Sequence, residues 1–477
     1  MLALILLSAV ALLRAPTLVV PIFNSDEAYL AVQAHVLRDG GRLYHDVADR
    51  KPPLVPYLYA ATFAVRGADD LIAVHVLAIG WLFATALVLA WDAKQRSGAS
   101  AGLWAAALFV AASASYLPAE TQAANFEVFM LLPACLGMAL AGRGKPLSAL
   151  AAGALIAAAT LCKQTAAVTL LAAGYRVFTA PRRGLGLLAL GAAFVTVLGV
   201  TAAALGPREF YFWTVGGNAG YLSADGVLSY AFARFAIITG SFLVANFLLC
   251  WLVTRAARTR ARRDLDLWVW LFTSAIGVAA GLRFFGHYYL QLLPPACLLA
   301  AAPASELGER ARKLVAVGLT IPALVFASLG FYSARIHDMP DYRPLAAYVR
   351  EHTAPTDRIA IWGHFPEVYW ASGRMPAMRF VHTGFLTGAS GGRPAGSATE
   401  HFATPGAWEL LFQDFHTHPP RLVIDTSPAR LRDYEHYPIA RYPRLRDYLS
   451  EHYHQSATVD GMVIYARTDS ASTAAIR

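Results

Sequence analysis

Nine side chains could do chemistry together. Asp26 and Glu27 are adjacent carboxylates in "PIFNSDEAYL", directly after an apolar N-terminal run. Lys51 precedes Pro52 and Pro53, and Lys163 sits in "LCKQT" between two apolar runs. Glu127 opens "NFEVFMLLPA", and Arg283, His287 and Tyr288 lie in "GLRFFGHYYLQLLPP"; Tyr44 is a further candidate. Ionisable groups at membrane depth are costly and are functional hypotheses by default. Lysine and arginine at an interface suit a phosphate or pyrophosphate head group. A carboxylate beside them can take a proton from an attacking hydroxyl while the phosphate departs. That combination describes group transfer from a lipid phosphate to an acceptor outside the membrane.

Each residue also has a structural alternative. Asn24 followed by Glu27 matches a helix capping box. Asp26 could merely stabilise the first turn of a helix through its dipole. Lys163 could snorkel to the interface, Glu127 could cap a helix, and His287 could be a hydrogen-bonded interfacial histidine. The convergence of these groups on one face favours chemistry.

The elements that must position them follow from composition. The 477-residue chain is 57% hydrophobic and 15% charged, whereas soluble domains carry roughly 25% charged residues. Apolar runs near the length that crosses about 30 Å of hydrocarbon recur. Candidate spans are 2–22, 70–92, 100–117, 126–141, 147–161, 165–179, 185–205, 229–254, 266–282, 288–303 and 314–333. Arg14 interrupts the first, which lacks a cleavable signal pattern. The net charge of +9 is concentrated in short clusters such as "AKQR", "GRGK" and "RAARTRARR" between apolar runs. This is the positive-inside pattern, with no context for nucleic-acid binding. It threads the N-terminus inside and places 23–69, 118–125, 162–164, 206–228, 283–287 and everything after 333 outside. The cysteines (Cys135, Cys162, Cys250, Cys297) are scattered in apolar segments and read as small buried hydrophobes.

The expected fold is a polytopic α-helical membrane protein of about 11 transmembrane helices over 1–333, followed by an extracytoplasmic α/β domain over 334–477. Strands are expected at 358–362, 421–425 and 461–467, with helices at 342–352 and 444–454 between them. The long first outer loop, 23–69, contains "SDEAYLAVQAHVLRDG", which reads as an amphipathic helix lying along the membrane surface. Near "GHFPEVYW" (363–370) the tail's aromatic and histidine content suggests contact with the site or the acceptor.

"NSDEAYLAVQAHVLRDGGRLYHDVADRKPPLVPYLYA" resembles the first outer loop of GT-C membrane glycosyltransferases, in particular the aminoarabinose transferase and protein O-mannosyltransferase families. "LCKQT" and "FGHYYLQLLPP" are similar to features of the same group. The resemblance covers about 1–335 and is strongest over 24–60. It implies a polyprenyl-phosphate-sugar donor and an inverting transfer to a lipid, glycan or protein acceptor on the outer face of the plasma membrane. It implies Asp26 as base and Lys51, with Lys163, as holders of the carrier phosphate. Glu127 falls where relatives place an acidic second-loop residue, often Asp, and Glu120 is a rival. A Lys-Gly pair of the aminoarabinose branch is Lys163-Gln164 here, so the sugar and acceptor are left open. No acidic pair has metal-ligand spacing and no cofactor is named, with a divalent metal left open. The alternative is a polyprenyl-lipid transporter without catalysis, but paired inverted halves are not evident.

Overall fold

Leucine and alanine dominate the apolar runs, and both are strong helix formers. The computed structural model describes residues 2–218, 220, 227–336, 340–394 and 396–468. Among them, five helices are long and apolar enough to cross a membrane: Leu71–Ser97, Arg183–Leu205, Leu228–Ala245, Leu265–Leu282 and Glu309–Gly330. Shorter apolar helices include Ala99–Ala112, Phe126–Ala141 and Pro146–Cys162.

Several expected spans are cut short, each by an identifiable residue. The first helix ends at Leu13, because the buried Arg14 turns aside to the carbonyls of Ser113, at 3.0 Å, and Thr121. Asn246 divides the expected 229–254 span into Leu228–Ala245 and Phe247–Arg260. Gly281, at φ +77°, ends the regular part of the 266–282 span. The helices pack closely through small residues: a Cβ on Gly153 would lie 2.1 Å from the Leu190 carbonyl oxygen, so only glycine admits this approach.

The C-terminal region carries a five-stranded sheet of β1 (Arg358–Trp362), β2 (Met375–Pro376), β3 (Leu422–Asp425), β4 (Tyr453–Val459) and β5 (Met462–Arg467). The order is β2-β1-β3-β5-β4, parallel through the first three and antiparallel in the last two pairings. β4 was not expected. Helix Pro443–His452 stops at its start, and the chain returns through Asp460 and Gly461, both at positive φ, a two-residue turn suited to a hairpin.

Helix Ser25–Arg38 corrects the expectation of a helix on the membrane surface. Its residues from Glu27 to Ala34, together with Val36, are buried. Tyr29, Val32 and Val36 join Leu43, Tyr44 and Val47 in one apolar core with Ile359, Ile361, Leu422 and Ile424 of the sheet. Ala28, Leu30, Ala31 and Ala34 belong to the helical core. The helix is wedged between the two cores because its opposite faces are both apolar. Ala48 N–H donates to the Arg379 carbonyl at 2.8 Å, and Trp370 Nε1 donates to the Asp69 carbonyl at 2.9 Å.

Candidate functional site

A cavity of about 770 Å³ is lined by residues of both the helical part and the sheet region. Its geometry begins at Asn24, whose side chain accepts the Asp26 N–H at 3.0 Å. Glu27 completes the capping box by accepting from Phe23 N–H at 2.6 Å and Asn24 N–H at 3.3 Å. Its other oxygen accepts from Ala124 N–H at 2.6 Å. Glu27 is fully buried and does not line the cavity, which places it behind the catalytic position for which it was a candidate. Burial pushes its carboxyl up to about 7, against the pull of those three amides.

Asp26, on the next face of the helix, does line the cavity. Lys51 Nζ donates to its Oδ2 at 3.1 Å. Burial alone would raise this carboxyl, but Lys51, with smaller pulls from His287 and His364, holds it well below the usual carboxylate range. Lys51 Nζ also sits 4.1 Å from the Phe126 ring centroid. Tyr44 fixes the backbone behind it. At φ +72° and almost fully buried, Tyr44 donates its hydroxyl to the Lys51 carbonyl at 2.8 Å. It therefore supports the site without lining the cavity.

Lys163 terminates helix Pro146–Cys162 and reaches the cavity, its Nζ 3.6 Å from the Tyr288 ring centroid. It is ion-paired with Glu127, which is buried and does not line the cavity. Glu127 therefore meets Lys163 from behind the cavity wall. His287 and Tyr288 both line the cavity. Glu120 holds His287 Nδ1 and accepts its backbone N–H at 2.9 Å, while His287 Nε2 lies 3.8 Å from Glu127 Oε1. The rival acidic residue of the second loop, Glu120, is therefore the one on the cavity. Arg283 is displaced from its expected phosphate role. It is 1% exposed, does not line the cavity and donates Nη1 to the Gly391 carbonyl at 3.1 Å, holding a glycine-rich loop.

The sheet region supplies residues that sequence reasoning did not place: His382, Phe385, the 389–394 loop, Arg432, Asp433 and Tyr434 all line the cavity. His364, from the flagged "GHFPEVYW" segment, joins them. On the helical side Asp49, Arg50 and Gln164 complete the wall. Gln33 Nε2 donates to Asp49 Oδ2 at 3.1 Å, and burial raises the Asp49 carboxyl to about 6, with Lys51 opposing. Gln164 Nε2 donates to the Arg50 carbonyl at 2.6 Å. Two lysines beside a carboxylate kept ionised can hold an anionic leaving group opposite a nucleophile. Among the described residues, no three His, Cys, Asp or Glu side chains are grouped to hold a metal ion.

No protein-family model and no curated protein matches this sequence. Its fold is nevertheless similar to solved structures along nearly its whole length. ArnT from Cupriavidus metallidurans bound to undecaprenyl phosphate superposes with a TM-score of 0.63 at 13% identity, covering 97% of each chain. The apo state of that protein gives 0.64 at 14%, covering 98% of each. The oligosaccharyltransferase AglB from Archaeoglobus fulgidus, in complex with an inhibitory peptide and a dolichol-phosphate, gives 0.52 at 11%, covering 98% of this chain and 74% of that one. The chain thus has the fold of ArnT and AglB.

Proposed function

We propose that the protein is an integral membrane glycosyltransferase that moves a sugar from a polyprenyl-phosphate donor to an acceptor hydroxyl on the outer face of the membrane. The observation that carries this reading is the Asp26–Lys51 pair, 3.1 Å apart, on a cavity that also receives Lys163. The solved neighbours, one bound to undecaprenyl phosphate and one to dolichol-phosphate, support a lipid-phosphate donor. The full topology, eleven spans with the sheet region outside, belongs to this proposal, and it rests on the basic clusters between apolar runs.

In the proposed step the acceptor oxygen attacks the anomeric carbon and its proton passes to Asp26. The bond from that carbon to the phosphate oxygen breaks on the opposite side, its electrons leave with the phosphate, and the configuration inverts. Lys51 and Lys163 carry the charge that develops there. A carboxylate ion-paired to lysine is a weak base. An incoming phosphate draws Lys51 towards itself and places negative charge near Asp26, and both effects raise the carboxylate's proton affinity. The donor thereby switches on its own base.

The test is transfer by the purified protein in lipid vesicles. In Asp26→Asn, transfer from polyprenyl-phosphate sugars is expected to fall by about 10²–10⁴, the usual contribution of general base catalysis, with undecaprenyl phosphate still bound. Full activity in that variant would remove Asp26 as the base.

A further inference from the structure

The mechanism above uses one wall of the cavity, and the sheet region builds another. There the His364 and His382 rings stack with centroids 4.8 Å apart and planes at 9°, and Phe385 continues the stack 4.8 Å from His382 at 25°. Gly384 N–H donates to His382 Nδ1 at 3.1 Å, so in the neutral ring the proton is on Nε2. His364 Nε2 is buried with no hydrogen-bond partner among the described residues. Burial, with Arg432 next, lowers His364 to about 4, and burial, with His364 and Arg50 next, holds His382 well below its ordinary value. Burial thus disfavours the charged form of both imidazoles.

Beside them the backbone is strained. Arg430, Arg432 and Asp433 have φ of +56°, +53° and +65°, a conformation that costs energy for residues other than glycine and clusters at ligand sites. Arg432 holds it in place. Its Nη2 meets Glu367 Oε1 at 2.7 Å, and its Nη1 meets Glu367 Oε2 at 3.2 Å and the His364 carbonyl at 2.7 Å. Arg432 and Asp433 both line the cavity. Tyr29, one helical turn beyond Asp26, lies 5.5 Å from the His382 ring centroid, which puts this wall next to the proposed base.

The chemistry of the wall selects its ligand. Imidazole edges and an adjacent guanidinium and carboxylate offer donors and acceptors to hydroxyls, and the Arg432 charge is already matched by Glu367. A phosphate finds no unmatched cation in this group of residues, because Glu367 holds Arg432, whereas the Asp433 carboxylate on the cavity has no ion pair among the described residues. No residue of β1 to β5 lines the cavity, so an extended peptide has no sheet edge there to join. We infer that His364, His382, Arg432 and Asp433 form a subsite for a sugar ring without acidic groups, read through its hydroxyls. This rests on the glycosyl-transfer reading of the same cavity. The ring is either the sugar carried by the donor or one belonging to the acceptor.

The experiment measures binding to the full-length protein in lipid nanodiscs. The probes are undecaprenyl phosphate, its glucose, mannose and 4-amino-4-deoxyarabinose conjugates, and a set of neutral oligosaccharides. The sugar conjugates are expected to bind more tightly than undecaprenyl phosphate alone. H364A/H382A is expected to weaken sugar binding about tenfold, the loss of a hydrogen bond or two, with undecaprenyl phosphate unaffected as the check on folding. A loss confined to the lipid conjugates assigns the subsite to the donor sugar; one confined to the free oligosaccharides assigns it to the acceptor. Unchanged affinity in the variant, or no gain from any sugar over undecaprenyl phosphate alone, overturns the inference. Failure of the wild type to bind undecaprenyl phosphate would sink the transfer reading, while glycan binding lost in the variant would still uphold the subsite.

Discussion

Asp26 and Lys51 are 25 residues apart in sequence and 3.1 Å apart across the cavity. Each sets the state of the other: the lysine holds the carboxylate ionised, and the carboxylate keeps the ammonium over the Phe126 ring. In Lys51→Ala the restraint on Asp26 goes and burial dominates. The acid limb of kcat/KM is expected to move to higher pH, and donor affinity to fall about tenfold or more for a lost charge-assisted contact. A pH–rate profile with separate donor binding measures both. An unmoved acid limb together with unchanged affinity would return Lys51 to a purely structural role.

Lys163 and Glu127 make a different prediction, because both are buried. Removing either alone leaves an uncompensated charge, which costs about 3–5 kcal/mol. Lys163→Met is therefore expected to lower the melting temperature steeply, and the double variant Lys163→Met with Glu127→Leu to regain most of it. Donor binding should stay weak in the double variant, which separates the stabilising role from the phosphate-holding one. Thermal unfolding of the set decides the matter.

How much of this could be read from the sequence depended on how local the cause was. β1 runs over Arg358–Trp362, as its short β-branched pattern between polar turns predicts. Asp26, Lys51, Lys163 and His287 stood out because ionisable groups flanking apolar runs are conspicuous, and all four reach one cavity. Arg283 stood out for the same reason, but the sequence carries no sign that its guanidinium meets the Gly391 carbonyl. Helix Ser25–Arg38 was misplaced because periodicity reports an apolar face without naming what covers it. Sequence spacing cannot anticipate a sheet packing on one side and a helical bundle on the other. His382 and Arg432 were invisible as site residues. They join His364 only through the packing of distant turns, and their positions lack the apolar frame that marked the others.

Glu27 sets a pH dependence of stability. Its carboxyl rises from 4.5 to about 7 on folding, so the native state binds the proton more tightly than the unfolded chain. The associated stability is fully present below about pH 4.5 and is lost as pH rises through 7, about 3 kcal/mol in all. Asp49, raised to about 6 by burial, adds a slope of the same sign, whereas Asp26 is depressed and titrates below this window. Unfolding measured from pH 5 to 8 should show stability falling with pH, and a shallower slope in Glu27→Gln. An equal slope in that variant would place the titration elsewhere.

Gly286 tests whether the Glu120–His287 pair matters to transfer. A Cβ there would lie 2.8 Å from both Glu120 Cγ and Tyr116 Cε1, closer than side chains tolerate. Gly286 lies between Phe285, which stacks on His287 with ring planes at 8°, and His287 itself. Gly286→Ala must therefore push Glu120 away from the imidazole or move the loop that carries it. Small displacements in a positioned site cost rate disproportionately. Turnover is expected to fall by about 10²-fold while undecaprenyl phosphate still binds. Glu120→Ala removes the Cγ part of the clash and leaves the Tyr116 ring, so Gly286→Ala with Glu120→Ala should lose less than the sum of the two single variants. Additive losses in the double variant would mean that the glycine acts through Tyr116 or the backbone rather than through this pair.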